Sequence, residues 1–124
     1  MIEVTDVTKN YGDFPAVTSL SFSVEQGEIL GFLGPNGAGK STTMKIITGF
    51  MPPTSGSVEV AGFDILNQSL EARRHIGYLP ETVPLYTDMT VSDYLSFMGT
   101  IRGMNSNSVS SRRSDVIEIC SLNE

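Results

Sequence analysis

Alternating apolar and polar residues at the start of the chain predict two β-strands, over residues 2–8 and 17–24. The segment 28–33 is instead almost continuously apolar, a pattern typical of a strand that is covered on both faces. Alternation returns over residues 57–60, and a brief apolar segment over 76–79 ends at a proline. These two short segments are therefore also predicted to be strands.

Four helices are predicted from apolar spacing and helix-boundary residues, over 40–48, 67–75, 91–102 and 112–122. Strands come first, then a loop and a helix, then a strand, and then further helices. This order predicts an α/β fold whose first part is antiparallel. Because no strand closes the chain after the last predicted helix, we expect an incomplete domain.

The helix over 91–102 has the clearest helical pattern in the chain. Five apolar residues recur at helical spacing: Val91, Tyr94, Leu95, Met98 and Ile101. Thr90, followed three residues later by Asp93, resembles a capping box. The Ser- and Asn-rich segment 105–111 predicts a solvated loop. After it, the last helix is expected to turn three residues inward: Val116, Ile119 and Cys120.

Composition and charge narrow the classes of function. Apolar residues make up 40% of the 124 residues, which is typical of a globular chain. A net charge of −6 argues against a nucleic-acid-binding surface, which requires clustered Lys and Arg. The single cysteine excludes a disulfide framework and a cysteine-based zinc site. We find no signal-peptide pattern at the start and no apolar run approaching the ~18 residues that cross a bilayer.

The glycine-rich segment 34–41 carries the strongest chemical signal. It reads Gly-Pro-Asn-Gly-Ala-Gly-Lys-Ser and fits G-x-x-x-x-G-K-[ST] at every fixed position, between an apolar strand and a helix. Backbone N–H groups of a curled loop form a concave donor surface for a triphosphate, and the positive end of the following helix adds to the attraction. The alternative is a glycine-rich turn with an exposed lysine.

Four residues of this loop have separate expected roles. Gly37 and Gly39 allow positive φ and a close approach of the backbone to the phosphates. Lys40 would place its charge against the β- and γ-phosphates, and Ser41 would offer a hydroxyl to Mg²⁺, which prefers oxygen ligands. The loop therefore predicts binding of ATP with Mg²⁺.

The wider stretch 27–43 resembles the Walker A region of ATP-binding-cassette (ABC) ATPases. Residues 55–58 and 76–81 also fall where that family would have them, and the resemblance covers essentially all 124 residues. Residues 79–86 resemble bacterial ABC-2-type exporters. The resemblance implies a P-loop NTPase core with an antiparallel β portion. Residues 1–90 would form the ATP-binding core with the Walker A and Q-loop regions, and residues 91–124 would begin the helical subdomain.

Several site residues follow from this resemblance alone. Tyr11 matches the aromatic residue that stacks on adenine, although a turn tyrosine packing locally is the alternative. Val17 is a possible second wall of the base site, or a core residue. The phosphate-binding residues implied are Gly34, Asn36, Gly37, Ala38, Gly39, Lys40, Ser41 and Thr42.

Glu81 occupies the Q-loop position, where most of the family has a glutamine that touches Mg²⁺ and senses the membrane partner. The resemblance therefore makes Glu81 a candidate metal ligand beside Ser41. A carboxylate can bind Mg²⁺, but it adds negative charge near the γ-phosphate. The alternative is a solvated loop glutamate.

Parts of the family's hydrolytic machinery have no counterpart in this sequence. No apolar run ends in Asp-Glu, no Leu-Ser-Gly-Gly-Gln signature occurs, and the only histidine, His75, reads as structural or exposed. We therefore expect at best weak ATP binding, without turnover by this chain alone. The complete protein is expected to be an ATPase at the cytoplasmic face of the membrane. There it would pair head-to-tail with a second ATP-binding subunit and drive an integral membrane permease, contacted through the loop 80–90.

Three other interpretations remain open. The first is an ABC-type ATPase that acts on nucleic acid or ribosomes, which the acidic balance disfavours. The second is a small-molecule P-loop kinase, although such kinases usually place the loop after their first strand. The third is a truncated reading frame that never folds stably.

Overall fold

The first unit of the chain, Met1–Leu79, is built on a four-stranded antiparallel sheet, in a computed structural model that describes residues 1–122. The strands lie in the order β2-β1-β3-β4. Their bounds are β1 Ile2–Tyr11, β2 Phe14–Val24, β3 Ser55–Val60 and β4 Phe63–Asp64. The predicted antiparallel portion is confirmed, and β4 is a short strand that the sequence pattern did not indicate.

Two helices, α1 (Lys40–Ile47) and α2 (Ser69–Arg74), complete the first unit. The second unit begins at Pro80 and contains α3 (Val91–Ile101) and α4 (Ser106–Ile119). All four predicted helices are present, with shifted bounds. Within residues 1–122, no helix is long and apolar enough to cross a membrane.

The core of the first unit lies between the sheet and its helices. Its buried apolar residues are Val4, Val7, Val17, Ile46, Ile47, Val58, Val60, Ile65 and Ala72. Two of them, Val4 and Val7, are three positions apart and would face opposite sides of a regular strand. A register shift between them, together with a positive φ at Asp6, brings both into the core.

Residues 28–33 and 76–79 do not form the strands predicted from their apolar runs. Ile29 and Leu33 are 98% and 93% exposed, and Leu79 is 82% exposed. Neither segment pairs with another strand within residues 1–122. An apolar run becomes a strand only when a partner takes up its N–H and C=O groups, and no described segment does so.

The second unit corrects the prediction for the Ser- and Asn-rich segment. Helix α4 begins at Ser106 because the Asn105 side chain caps it, accepting a 2.9 Å hydrogen bond from Ser108 N. Ile119 and Cys120, both predicted to face inward, are exposed, whereas Val116 is half-buried. Composition alone suggested a loop here, because serine and asparagine favour loops and helix caps alike.

Helix α3 begins where its cap predicts. Thr90 Oγ1 accepts a hydrogen bond from Asp93 N at 3.1 Å, and its hydroxyl donates to Asp93 Oδ2 at 2.7 Å. The Tyr86 ring, from the preceding loop, packs against Tyr94 and edge-on against Phe97. This aromatic contact links the loop to the helix within the second unit.

Candidate functional site

The segment from Gly34 to Gly39 is curled rather than extended. Ala38 N donates a 3.2 Å hydrogen bond to Pro35 O, which closes a turn. A Cβ atom added at Gly34 would lie 3.4 Å from the Cβ of Ala38, so the residue before the turn approaches the last residue of the turn closely. The curl is the geometry that a concave anion-binding surface requires.

Helix α1 presents free N–H groups to the end of this loop. The first bond of the helix runs from Thr43 N to Gly39 O at 2.8 Å, so the N–H groups of Lys40, Ser41 and Thr42 have no acceptor within the helix. No acidic residue lies in the first turn, and no side chain caps it. The positive end of the helix dipole is therefore left available to an anion.

Lys40 is folded back over the loop. Its ammonium group donates to the carbonyl oxygens of Gly34 and Pro35, the latter at 2.7 Å. The charge thus lies against the first two residues of the loop. A phosphate bound there would compete with these two carbonyl oxygens for the same ammonium group, and as an anion it would be the stronger partner.

Gly39 joins the loop to the sheet. Its φ is +84°, and an added Cβ would overlap the carbonyl oxygen of Ala16 and lie 2.9 Å from Cγ2 of Val17. Strand β2 therefore packs directly against the last residue of the loop. Val17 is only 8% exposed and belongs to the core, which favours the core interpretation of this residue.

The hydroxyl groups at the start of α1 differ in their surroundings. Thr43 is buried, and its hydroxyl donates to Gly39 O at 2.9 Å, so it stabilises the loop. Ser41 is exposed, and its hydroxyl has no hydrogen-bond partner among the described residues. A free serine hydroxyl beside an anion-binding loop fits the oxygen chemistry of Mg²⁺.

Tyr11 is the last residue of β1, at the turn of the β1–β2 hairpin. It pairs with Phe14, and two residues earlier Lys9 pairs with Val17, the residue that packs on Gly39. Tyr11 is 48% exposed, and its hydroxyl donates to Sδ of Met51 at 3.2 Å. The first unit thus holds both the loop and an accessible aromatic ring.

Two other residues singled out from the sequence are exposed, Glu81 and His75. Glu81 is exposed and belongs to the second unit, in the loop that precedes α3. His75 is exposed and stacked on Phe63, with ring centroids 5.5 Å apart and planes 13° apart. This packing agrees with the interpretation of His75 as structural or exposed.

Lys9 is a residue near the site that the sequence did not reveal. Its Nζ lies 5.6 Å from the centroid of the Tyr11 ring. Residues two apart on a strand share a face, so the spacing of Lys9 and Tyr11 was the only feature of the sequence that could have placed the lysine beside the ring. Lysine two positions from tyrosine is a common pattern, so this spacing alone does not indicate a functional lysine.

Comparison with known proteins identifies a family that this chain matches. Residues 17–123 match the family described as ABC transporter. The chain is 42% identical over 125 residues to the probable multidrug ABC transporter ATP-binding protein YbhF of Escherichia coli, covering 98% of this chain and 22% of that protein. It is 40% identical over 121 residues to the Nod factor export ATP-binding protein I of Rhizobium etli, covering 98% of this chain and 38% of that protein.

A solved structure shares the fold. The chain superposes with a TM-score of 0.84 and 23% identity on a dimeric ATP-binding cassette in a post-hydrolysis state bound to ADP and Pi, covering 100% of this chain and 59% of that one. The superposition includes the antiparallel sheet and the helices described above. The chain spans about a fifth to two fifths of the length of these two curated relatives.

Proposed function

The chain belongs to the ABC transporter family, and from this membership we propose that it binds ATP with Mg²⁺ as part of the ATPase subunit of a membrane exporter. The observation that carries the proposal is the curled loop 34–39, against which the Lys40 ammonium lies and which leads into the free N–H groups at the start of α1. A triphosphate matches this surface in charge and in hydrogen-bonding capacity.

We also propose roles for individual residues. The loop residues 34–42 would hold the phosphates, and the exposed Ser41 hydroxyl would bind Mg²⁺. The Tyr11 ring would stack on adenine, for which a flat and accessible aromatic face suffices. Glu81 would be a second Mg²⁺ ligand in the assembled protein. Residues 1–90 would act as the ATP-binding core and residues 91–124 as the start of the helical subdomain.

The exporter assignment draws on the relatives. One is named a probable multidrug transporter protein and another a Nod factor export protein, and the solved cassette is dimeric. We therefore infer a complete protein that pairs head-to-tail with a second ATP-binding subunit. It would lie at the cytoplasmic face of the membrane, drive an integral permease and bind no nucleic acid.

The 124-residue chain alone is expected to release no phosphate from ATP in a sustained manner. Phosphoryl transfer needs Mg²⁺ held from both sides and an oriented water. The sequence offers the phosphate-binding loop without the carboxylates of an apolar run that ends in Asp-Glu. A malachite-green assay over several hours measures this directly, with the Lys40→Met chain as the background. Phosphate release by the unmodified chain above that background, over many turnovers, would contradict the prediction.

Tyr11→Ala is expected to weaken MgATP binding about tenfold, because base stacking on an aromatic ring contributes roughly 1–3 kcal/mol. Titration calorimetry with MgATP and with magnesium tripolyphosphate separates the base from the phosphates. Tyr11→Ala should bind MgATP more weakly and magnesium tripolyphosphate unchanged. Tyr11→Phe should bind MgATP as tightly as the unmodified chain.

Tyr78→Ala is the matched control for this experiment, since it removes another half-exposed tyrosine from the same unit. Equal MgATP affinity of the Tyr11→Ala chain and the unmodified chain would remove Tyr11 from the base site. The phosphate-binding loop would then account for the whole MgATP affinity.

A further inference from the structure

Lys9 is held in place by two contacts at the end of β1. Its ammonium group donates a 2.8 Å hydrogen bond to Pro52 O and lies 5.6 Å from the centroid of the Tyr11 ring. A cation within about 6 Å of an aromatic centroid is attracted by the negative face of the ring. One face of Tyr11 is therefore occupied by a positive charge that the backbone fixes in position.

The segment that anchors Lys9 also holds Tyr11. Besides the Tyr11 hydroxyl on Met51, Thr54 N donates to Thr8 O at 2.8 Å, and Thr54 Oγ1 accepts from Asn10 N at 3.0 Å. Residues 51–54 are thus tied to the last four residues of β1. Met51 N in turn donates to Lys45 O, in the last turn of α1, so the ring is linked to the helix that starts at the phosphate loop.

A cation on one face of a tyrosine changes what the other face attracts. The positive charge draws the π electrons of the ring toward itself, so the opposite face becomes less negative. Two stacked π systems repel through their negative faces, and that repulsion falls when one of them is depleted of electrons. An electron-rich purine would therefore stack more favourably on Tyr11 when Lys9 lies behind it.

We propose that Lys9 is a positioning residue for the nucleotide base, acting through Tyr11 by orienting the ring and polarising it. This inference depends on the proposed function, since it requires that Tyr11 stacks on the base of a bound nucleotide. In this proposal Lys9 does not contact the base. Its contribution is to the affinity for the base and not to the affinity for the phosphates.

The test compares MgATP with magnesium tripolyphosphate, which has the phosphates but no base. In the full 124-residue chain, Lys9→Met keeps most of the aliphatic stem and removes the charge, and Lys9→Arg keeps the charge. Lys45→Met removes one positive charge from an exposed site on the same unit and serves as the matched control. Affinities are measured by chemical-shift titration, which follows weak binding.

Lys9→Met is expected to weaken MgATP binding about three- to fivefold with tripolyphosphate unchanged, while Lys9→Arg stays within about twofold of the unmodified chain for both ligands. A long-range charge effect would weaken tripolyphosphate at least as much as ATP, because tripolyphosphate is at least as negative. Equal losses on both ligands, or no loss on either, would overturn the inference.

Failure of the proposed function gives a different result. An unmodified chain that binds neither ligand would overturn the nucleotide site and the role of Lys9 with it. An unmodified chain that binds ATP and in which Lys9→Met lowers only the melting temperature would assign Lys9 to the stability of the 51–54 segment. That outcome overturns the inference and leaves the nucleotide site standing.

Discussion

Replacing Lys40 by methionine is expected to weaken MgATP binding about 30-fold, a loss of about 2 kcal/mol, while the chain stays folded. The ammonium group already lies against the loop, where the carbonyl oxygens of Gly34 and Pro35 accept its hydrogen bonds. A triphosphate would replace those neutral acceptors by anionic ones, and charge-assisted hydrogen bonds are about twice as strong as neutral ones. Methionine has a similar length and can make neither kind of bond.

The fold should tolerate this change because the two loop carbonyls that Lys40 contacts are in exposed residues, which water can solvate in its place. The free energy of unfolding, measured in urea, is expected to change by less than about 0.5 kcal/mol. Lys45→Met alters the same helix by the same substitution and should leave the MgATP affinity within about twofold. Similar losses from both variants would mean that only the net charge attracts the nucleotide.

Local patterns predicted the part of the site that lies along one stretch of chain. The glycine-rich loop and the helix that begins at Lys40 follow from neighbouring residues, and the helix predicted over 40–48 ends one residue earlier, at Ile47. The cap of α3 at Thr90 was predictable for the same reason, since Asp93 lies only three residues away. These features need no information about distant parts of the chain.

The features that the sequence did not reveal depend on distant partners. The apolar run 28–33 predicts a strand, but a strand needs a hydrogen-bonded partner, and within residues 1–122 no segment pairs with it. The core position of Val7 depends on a register shift in β1, which the alternation of apolar and polar residues does not predict. The contact of Lys9 with Pro52 joins residues 43 positions apart. Such contacts follow from tertiary packing, which periodicity does not encode.

Gly39→Ala is expected to destabilise the chain by about 3 kcal/mol and to remove measurable MgATP binding. A left-handed φ costs an alanine about 1–2 kcal/mol, and the overlap of its Cβ with Ala16 O and Val17 adds roughly 1–3 kcal/mol. The overlapping atom is a backbone oxygen in β2, which no change of rotamer can move aside. The loop would have to shift away from the sheet, and with it the N–H groups at the start of α1.

Gly37→Ala separates the two causes, because Gly37 has the same φ of +84° but no atom within 4 Å of an added Cβ. Gly37→Ala is expected to lower the free energy of unfolding only by the cost of a left-handed φ, about 1–2 kcal/mol, and to leave part of the MgATP affinity. Urea denaturation and calorimetry on the two variants measure both quantities. If Gly37→Ala and Gly39→Ala destabilise the chain equally, the packing of the loop against β2 contributes nothing. The anion-binding curl would then depend on backbone conformation alone.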